Sequence, residues 1–347
     1  MKKIALSVLA LGVISALLLA GCGTTSSTTA AAAKDPDTIT IAWLPNNAGE
    51  DFKDTRAAID KVIADATGKK VEDKLTTDYA IVIEAVSKGD AQLAFVGAQQ
   101  YVEAHNKNPK VLPLVVNSGN SGTLSDAMYY SRFAVKKGNE SQYQSGSGFS
   151  IDNIAGKRMG FVSPSSTSGF AVPTSQILST FTKQDKWKNL TKDDLTQGGN
   201  GKFFSQVTFG GSHQGNAVNL LTDKVDVAAI DDVDLVSYVD LTSGKENTEG
   251  AVYTVKNNAT APFDKLAGAQ FTLIKPIPVM NGPIMVNTGA LTQQTVEKLT
   301  AALTSDTTTQ DTKIFIPKDS KTKGFFNQPQ HFLKVDDSWY QPIRDLK

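Results

Sequence analysis

One cysteine, three histidines and three tryptophans are spread through 347 residues. A lone cysteine excludes an internal disulfide, so the fold must be held by its apolar core. His105, His213 and His331 are isolated, and no Cys or Asp/Glu cluster has ligand spacing, so neither a metal nor a cofactor is expected. An excess of charge of one sign is also missing. The chain carries 35 basic and 35 acidic side chains, a balance that argues against nucleic acid as a partner. There is no internal repeat and no Gly-x-Ser-x-Gly elbow of the kind that exposes a nucleophilic serine.

What is present begins with an apolar run from Ile4 to Ala20, preceded by Lys2 and Lys3 and ending in Leu19-Ala20-Gly21-Cys22. At about 17 residues it is at the short limit for a membrane span, and no stop-transfer charge follows, so residues 1–21 read as a secretory signal. The ending resembles the bacterial lipobox. That resemblance implies cleavage before Cys22, a lipid on the new N-terminus, and an extracytoplasmic chain anchored to the bacterial membrane. Removing 21 residues and their two lysines leaves 326 residues with a formal charge of −2. Residues 22–37 hold mostly Thr, Ser and Ala, too little apolar surface to bury, and read as a flexible tether.

From Thr38 onward, apolar strands alternate with helical stretches. Thr38 to Leu44, Val71 to Leu75, Ala91 to Val96 and Val111 to Val116 read as strands. Asp51 to Ala66, Tyr79 to Lys88 and Gln100 to Asn106 read as helices, with Gly68 and Gly89 at two C-termini. This alternation is that of an α/β fold with mostly parallel sheets. Turn-rich stretches between Asn117 and Gly156, and again from Lys275 to Gly282, read as crossings between two lobes. Lobe 1 is assigned residues 38–125 and 283–347, and lobe 2 residues 126–282.

The most informative stretch is Phe161-Val162-Ser163-Pro164-Ser165-Ser166-Thr167-Ser168-Gly169-Phe170, where a short strand meets a helix through four successive hydroxyl residues and a glycine. Such a turn gathers hydroxyl and N–H donors at the positive end of a helix, a cradle for an anion. Pro173 places the helix start at or just after Gly169, because proline is tolerated only where N–H groups are free anyway. Gly210-Gly211-Ser212-His213 is a second turn of the same kind, and Val225 to Ile230 is a strand ending in Asp231-Asp232.

Several stretches together resemble the phosphonate, phosphite and phosphate substrate-binding proteins of ABC transporters. They are Thr77-Asp78-Tyr79, Val96-Gly97 with Tyr101, Ser163 to Phe170 with Val172-Pro173, Gly211-Ser212-His213, Val225-Asp226-Val227-Ala228 leading to Asp231, Ile277-Pro278 with Gly282-Pro283, and Trp339 to Arg344. The resemblance implies a type II periplasmic-binding-protein architecture, two lobes closing on a ligand like a hinged trap. It implies that Ser166, Thr167, Ser168 and Gly169 bind a small phosphorus oxyanion, with His213 as a further donor. Tyr79 and Tyr101 would close from lobe 1, and Asp231, with Asp232 beside it, would form the far wall. It also implies a monomer that delivers its ligand to a membrane permease. The family holds amine-bearing ligands partly by an acid just before the return-crossing proline, where this chain has Asn281-Gly282-Pro283. That departure favours phosphate, phosphite or a small alkylphosphonate.

Bland readings stand beside these. Any one serine could be an ordinary helix cap, Asp231-Asp232 a solvated strand end, and Tyr79, Tyr101 and Trp43 plain core residues. A binding lobe reporting to a signalling receptor would look the same in sequence. Ser166, His213 and Asp231 could also be drawn as a hydrolase triad, although the motif that would support it is missing.

Overall fold

The computed structural model describes residues 34–320 and 324–346. The signal segment, Cys22 and most of the tether lie outside the described residues. Leaving aside short ladders and single turns, the chain runs β1 (Thr38–Trp43), α1 (Lys53–Thr67), β2 (Lys70–Leu75), α2 (Tyr79–Lys88), β3 (Leu93–Phe95), α3 (Ala98–Lys107) and β4 (Val111–Asn117). It crosses to β5 (Met128–Lys136), β6 (Arg158–Phe161), α4 (Val172–Phe181), β7 (Gln206–Phe209), α5 (His213–Leu221), β8 (Val227–Asp231), β9 (Val239–Ser243), β10 (Val252–Val255) and β11 (Gln270–Met280). It returns through β12 (Pro283–Asn287), α6 (Gln293–Leu303), β13 (Phe332–Leu333) and α7 (Gln341–Arg344).

Local chemistry sets the helix ends. Asp78 Oδ1 accepts the Ala80 N–H at 2.7 Å to open α2, and Gly89 closes it with φ of 87°. Thr292 caps α6 by accepting Thr295 N–H at 3.3 Å, and the Asp35 carboxylate braces that cap, accepting from Thr292 N at 2.7 Å and from the hydroxyls of Thr292 and Thr295 at 3.1 and 2.5 Å.

Six strands form one sheet in the order β13-β4-β12-β3-β1-β2, and seven form the other, β9-β10-β11-β5-β8-β6-β7. Both are buried on two faces. Ile41 and Trp43 pack with Ile59, Ile63, Leu299 and Leu303, while Ala42 between them faces Val82, Val86 and Tyr101. In the second sheet Phe133 and Val135 face Ile177 and Phe181, and Ala134 faces Leu220 and Phe271. Two-sided burial explains why the strands read as continuous apolar runs.

The expectation of mostly parallel sheets is corrected. Within these two sheets β1–β2, β1–β3, β6–β8 and β6–β7 pair in parallel and the other neighbours antiparallel, so both sheets are mixed. Parallel pairs arise where a helix carries the chain back over the sheet. The crossing strands β5, β11 and β12 and the chain through β9 and β10 have no such helix, so they pair antiparallel.

Two adjacent crossings join the lobes. β5 and β11 pair as far as Met128 and Met280, and beyond them Asn281 N–H reaches Ala127 O at 3.0 Å while Asn281 Nδ2 reaches Asn117 O at 2.9 Å. The next residue must be glycine, because a Cβ on Gly282 would lie 2.0 Å from Val96 O.

Candidate ligand-binding cleft

Where the two sheets face each other they leave a cavity of about 90 Å³, lined from lobe 1 by Asn46, Asn47, Tyr79 and Gln100 and from lobe 2 by Ser166, Thr167, Ser168, His213, Asp231 and Asp234. The second-lobe residues follow the C-terminal ends of β6, β7 and β8, the places where α/β sheets put ligands. Its volume is well below the 300 Å³ or so of a drug-sized pocket, so the occupant must be small.

The hydroxyl turn opens as a wide π turn over Thr167–Ala171 before becoming α4, so helical structure begins two residues before Gly169. Ser166 is its N-cap, with Oγ accepting Gly169 N–H at 3.0 Å. Thr167 and Ser168 are the first two helical positions, whose N–H groups have no intrahelical acceptor, and both stand at the cavity wall. Pro173 has no N–H to return to the carbonyls of Ser168 or Gly169. Those carbonyls are satisfied from elsewhere, Ser168 O by the Ser131 hydroxyl at 2.7 Å and Gly169 O by Val162 N–H at 3.1 Å. Thr167 also ties across the cleft, accepting Gln99 N–H at 2.9 Å and donating to Gln100 Oε1 at 3.2 Å.

A second cluster lies against this turn. His213 Nε2 is 3.3 Å from Asp231 Oδ2 and 3.3 Å from Ser168 Oγ, with all three residues buried. Burial holds the imidazole down to about 4, so it is neutral at pH 7 and the Asp231 contact is not an ion pair. Burial, with the charge of Asp232 added, pushes Asp231 up to about 7. Burial and the neighbouring Asp231 raise Asp234 well above the carboxylate range. Among the described residues no Lys or Arg lines the cavity.

The expectation that no acidic cluster exists is corrected, since His213, Asp231 and Asp234 place ligand-type atoms within 4.8 Å of one another. Separations of 18 and 21 residues hid this in the sequence. The oxygens of Asp234 already face amide donors: Asn46 Nδ2 at 2.5 Å and Asn47 Nδ2 at 3.4 Å. Those N–H groups oppose a cation at the same oxygens.

Three residues expected at the ligand lie elsewhere. Tyr101 is buried against Tyr340, with its hydroxyl donated to Asp337, and closes the lobe 1 core. Gly169 serves packing, because a Cβ there would sit 2.3 Å from Val162 Cγ2. Asp232 turns away from the cavity to accept Tyr130 N–H at 2.9 Å and Asn247 Nδ2 at 3.0 Å. Asn281 does line the cavity, with its amide spent on the crossing. Tyr79 lines it too and donates to Asn46 Oδ1 at 2.6 Å.

Sequence reasoning missed Asp234, Asn46, Asn47, Tyr129 and an apolar wall of Phe52, Phe95, Phe325 and Phe326. Asn46-Asn47 had a signal, the loop after the first strand, and Asp234 another, three residues beyond Asp231. The phenylalanines had none, since they come from three distant segments. Phe325 is sandwiched between Trp43 and Phe52, ring centroids 5.4 and 4.6 Å away, and Trp43 itself is core, with Nε1 bound to Asp73 at 2.6 Å.

The profile of the family described as "ABC transporter, phosphonate, periplasmic substrate-binding protein" matches residues 41–340. The chain belongs to this family. Among its relatives is the phosphate-import protein PhnD of Mycolicibacterium smegmatis, 32% identical over 164 residues, which are 47% of this chain and 49% of that one. The match thus spans about half the length of that curated relative. Two solved structures of the fold have TM-scores of 0.61 over 90% of this chain. One is the binding-protein component of an ABC phosphonate transporter from Pseudomonas aeruginosa, 18% identical with 86% of its chain covered. The other is PhnD1 from Prochlorococcus marinus in complex with methylphosphonate, 15% identical with 97% covered. The two-lobe architecture of periplasmic binding proteins is therefore the fold of this chain, and its family is one of extracytoplasmic substrate-binding proteins.

Proposed function

We propose that the protein is a solute-binding lipoprotein, anchored outside the cytoplasm through a lipid on Cys22, that captures a small phosphorus oxyanion and hands it to an ABC permease. The observation that carries the ligand reading is the Ser166-Thr167-Ser168 turn, which brings three hydroxyls and two unpaired helix-end N–H groups to one wall of a small cavity. Charge-assisted hydrogen bonds contribute about 1.5 to 3 kcal/mol each, so four or five can exceed the roughly 8 kcal/mol of a micromolar site before ordering costs. Asp231 beside them favours an oxyanion that keeps a proton to donate, which separates phosphorus oxyanions from sulfate. The phenylalanine wall gives an apolar substituent, such as a methyl group, a place to lie. The proposed lobe limits are supported by strand membership, since every strand of each sheet falls within one lobe's residue ranges.

A hydrolase is disfavoured by geometry. In a nucleophilic triad the serine meets one histidine nitrogen and the carboxylate the other. Here the Ser166 hydroxyl caps its own turn by accepting Gly169 N–H, Ser168 and Asp231 both meet Nε2, and Nδ1 has no protein partner. The test is calorimetric titration with phosphate, phosphite, methylphosphonate, 2-aminoethylphosphonate and sulfate. Binding of the small phosphorus oxyanions with rejection of sulfate is expected. Tightest binding of the aminophosphonate would overturn the small-ligand reading, and no binding of any would overturn the function.

A further inference from the structure

Two aspartates of lobe 2 line the cavity, and their surroundings differ. Asp231 ends β8 and faces His213 and Ser168 of its own lobe. Asp234, one turn later, faces the other lobe. Its Oδ2 accepts Asn46 Nδ2 at 2.5 Å and its Oδ1 lies 3.4 Å from Asn47 Nδ2, both amides coming from the loop after β1. The contact is braced on each side. In lobe 1, Tyr79 donates its hydroxyl to Asn46 Oδ1, which orients the amide so that its NH₂ points at Asp234. Arg56 holds the same loop by donating to Asn47 O at 2.7 Å and Gly49 O at 3.0 Å. In lobe 2, Asp231 Oδ1 accepts Asp234 N–H at 3.0 Å, and Gln214 Nε2 reaches both Asp234 O and, across the cleft, Asn46 O at 3.1 and 3.2 Å.

From this geometry we infer that Asp234 is a positioning residue for closure. It latches lobe 2 to the Asn46-Asn47 loop of lobe 1 and leaves the chemical reading of the ligand to Asp231 and the hydroxyl turn. The inference rests on the reading of the cavity as a closing cleft. Its physical basis is the acceptor inventory. A carboxyl group whose two oxygens both face amide donors of the opposite lobe has its best lone pairs committed to the lobe contact. When the lobes separate, the buried carboxyl and the amides lose each other together, so the bond acts on the rate of opening. A group that reads the ligand would instead change which ligand is held.

The test compares Asp234→Asn, Asp234→Ala and Asn46→Ala with the full chain, using stopped-flow binding of methylphosphonate and of phosphate and small-angle X-ray scattering of the ligand-free protein. Asp234→Asn sets an NH₂ against one of the two asparagine amides while keeping the volume, and so serves if the alanine variant folds poorly. Dissociation of both oxyanions should speed up by about tenfold or more, with the affinity ratio between them unchanged. The ligand-free variants should have a larger radius of gyration than the wild type. Asn46→Ala combined with Asp234→Ala should open no faster than Asp234→Ala alone, because the loss of Asp234 already removes the Asn46 contact. Unchanged dissociation rates, a shifted affinity ratio, an unchanged radius of gyration or additive effects would each overturn the latch. If the wild type binds neither oxyanion, the proposed ligand fails, and the scattering comparison still decides the latch.

Discussion

Ser131 donates its hydroxyl hydrogen to the main-chain oxygen of Ser168, 2.7 Å away, in the place where Pro173 has no N–H to offer. Lobe 2's crossing strand thereby fixes the first turn of the helix that forms the cavity wall. Ser131→Ala strands a buried carbonyl and should cost about 1 to 3 kcal/mol in urea denaturation. Oxyanion affinity should fall with it, because the turn carrying Ser166 to Ser168 loosens. Full affinity in a destabilised variant would show that the turn keeps its shape without this bond.

Asp231→Asn removes the acceptor for a ligand proton. Affinity for phosphorus oxyanions should drop and the rejection of sulfate should relax, read as the ratio of the two dissociation constants. An unchanged ratio would remove Asp231 from discrimination.

The same residue gives a pH prediction. Asp231 is pushed up to about 7, so between the ordinary carboxylate value near 3.8 and that point the folded chain holds a proton that the unfolded chain has lost. Its contribution to stability is complete below the unfolded value and is lost as pH rises through about 7. His213, held down to about 4, acts with the opposite sign, adding stability at neutral pH that is lost as pH falls below about 6.5. The informative quantity is the difference between variants. The Tm of Asp231→Asn should gain on the wild type as pH rises from about 5 to 8, and a constant difference would contradict the raised value.

Tyr101→Phe should leave oxyanion affinity unaltered while lowering stability by about 1 to 2 kcal/mol through loss of the Asp337 bond. A loss of affinity without a loss of stability would return Tyr101 to the binding site.

Removing the apolar wall separates ligands. Phe325→Ala opens the stack between Trp43 and Phe52 and should weaken methylphosphonate more than phosphate in calorimetry. Equal effects would mean that the wall shapes the cavity without touching a substituent.

Much of the fold could be read along the chain because its signals are local. The helix from Tyr79 to Lys88 is bounded as expected, since Asp78 caps it and Gly89 ends it within the same dozen residues. The antiparallel ladder of β9, β10 and β11 was not legible, because its short strands depend on partners that only the folded sheet supplies. The site divides in the same way. The hydroxyl turn is one contiguous run and could be found. Asp234 and Asn46 form a pair across 188 residues, and neither carries a local mark of the other. Tyr101 shows the converse: the family resemblance implies a ligand role, yet its partner, Asp337, arrives from the far end of the chain.

The Asp35 carboxylate, clasped by Thr292 and Thr295 at the start of α6, ties the stretch before β1 to lobe 1. On the proposed reading of a lipid-anchored closing trap, a pull from the N-terminal side would enter through lobe 1 at a helix end. Lobe 1 would then be the mounted jaw and lobe 2 the swinging one, and an orientation set by the anchor would pass to the cleft through a single lobe.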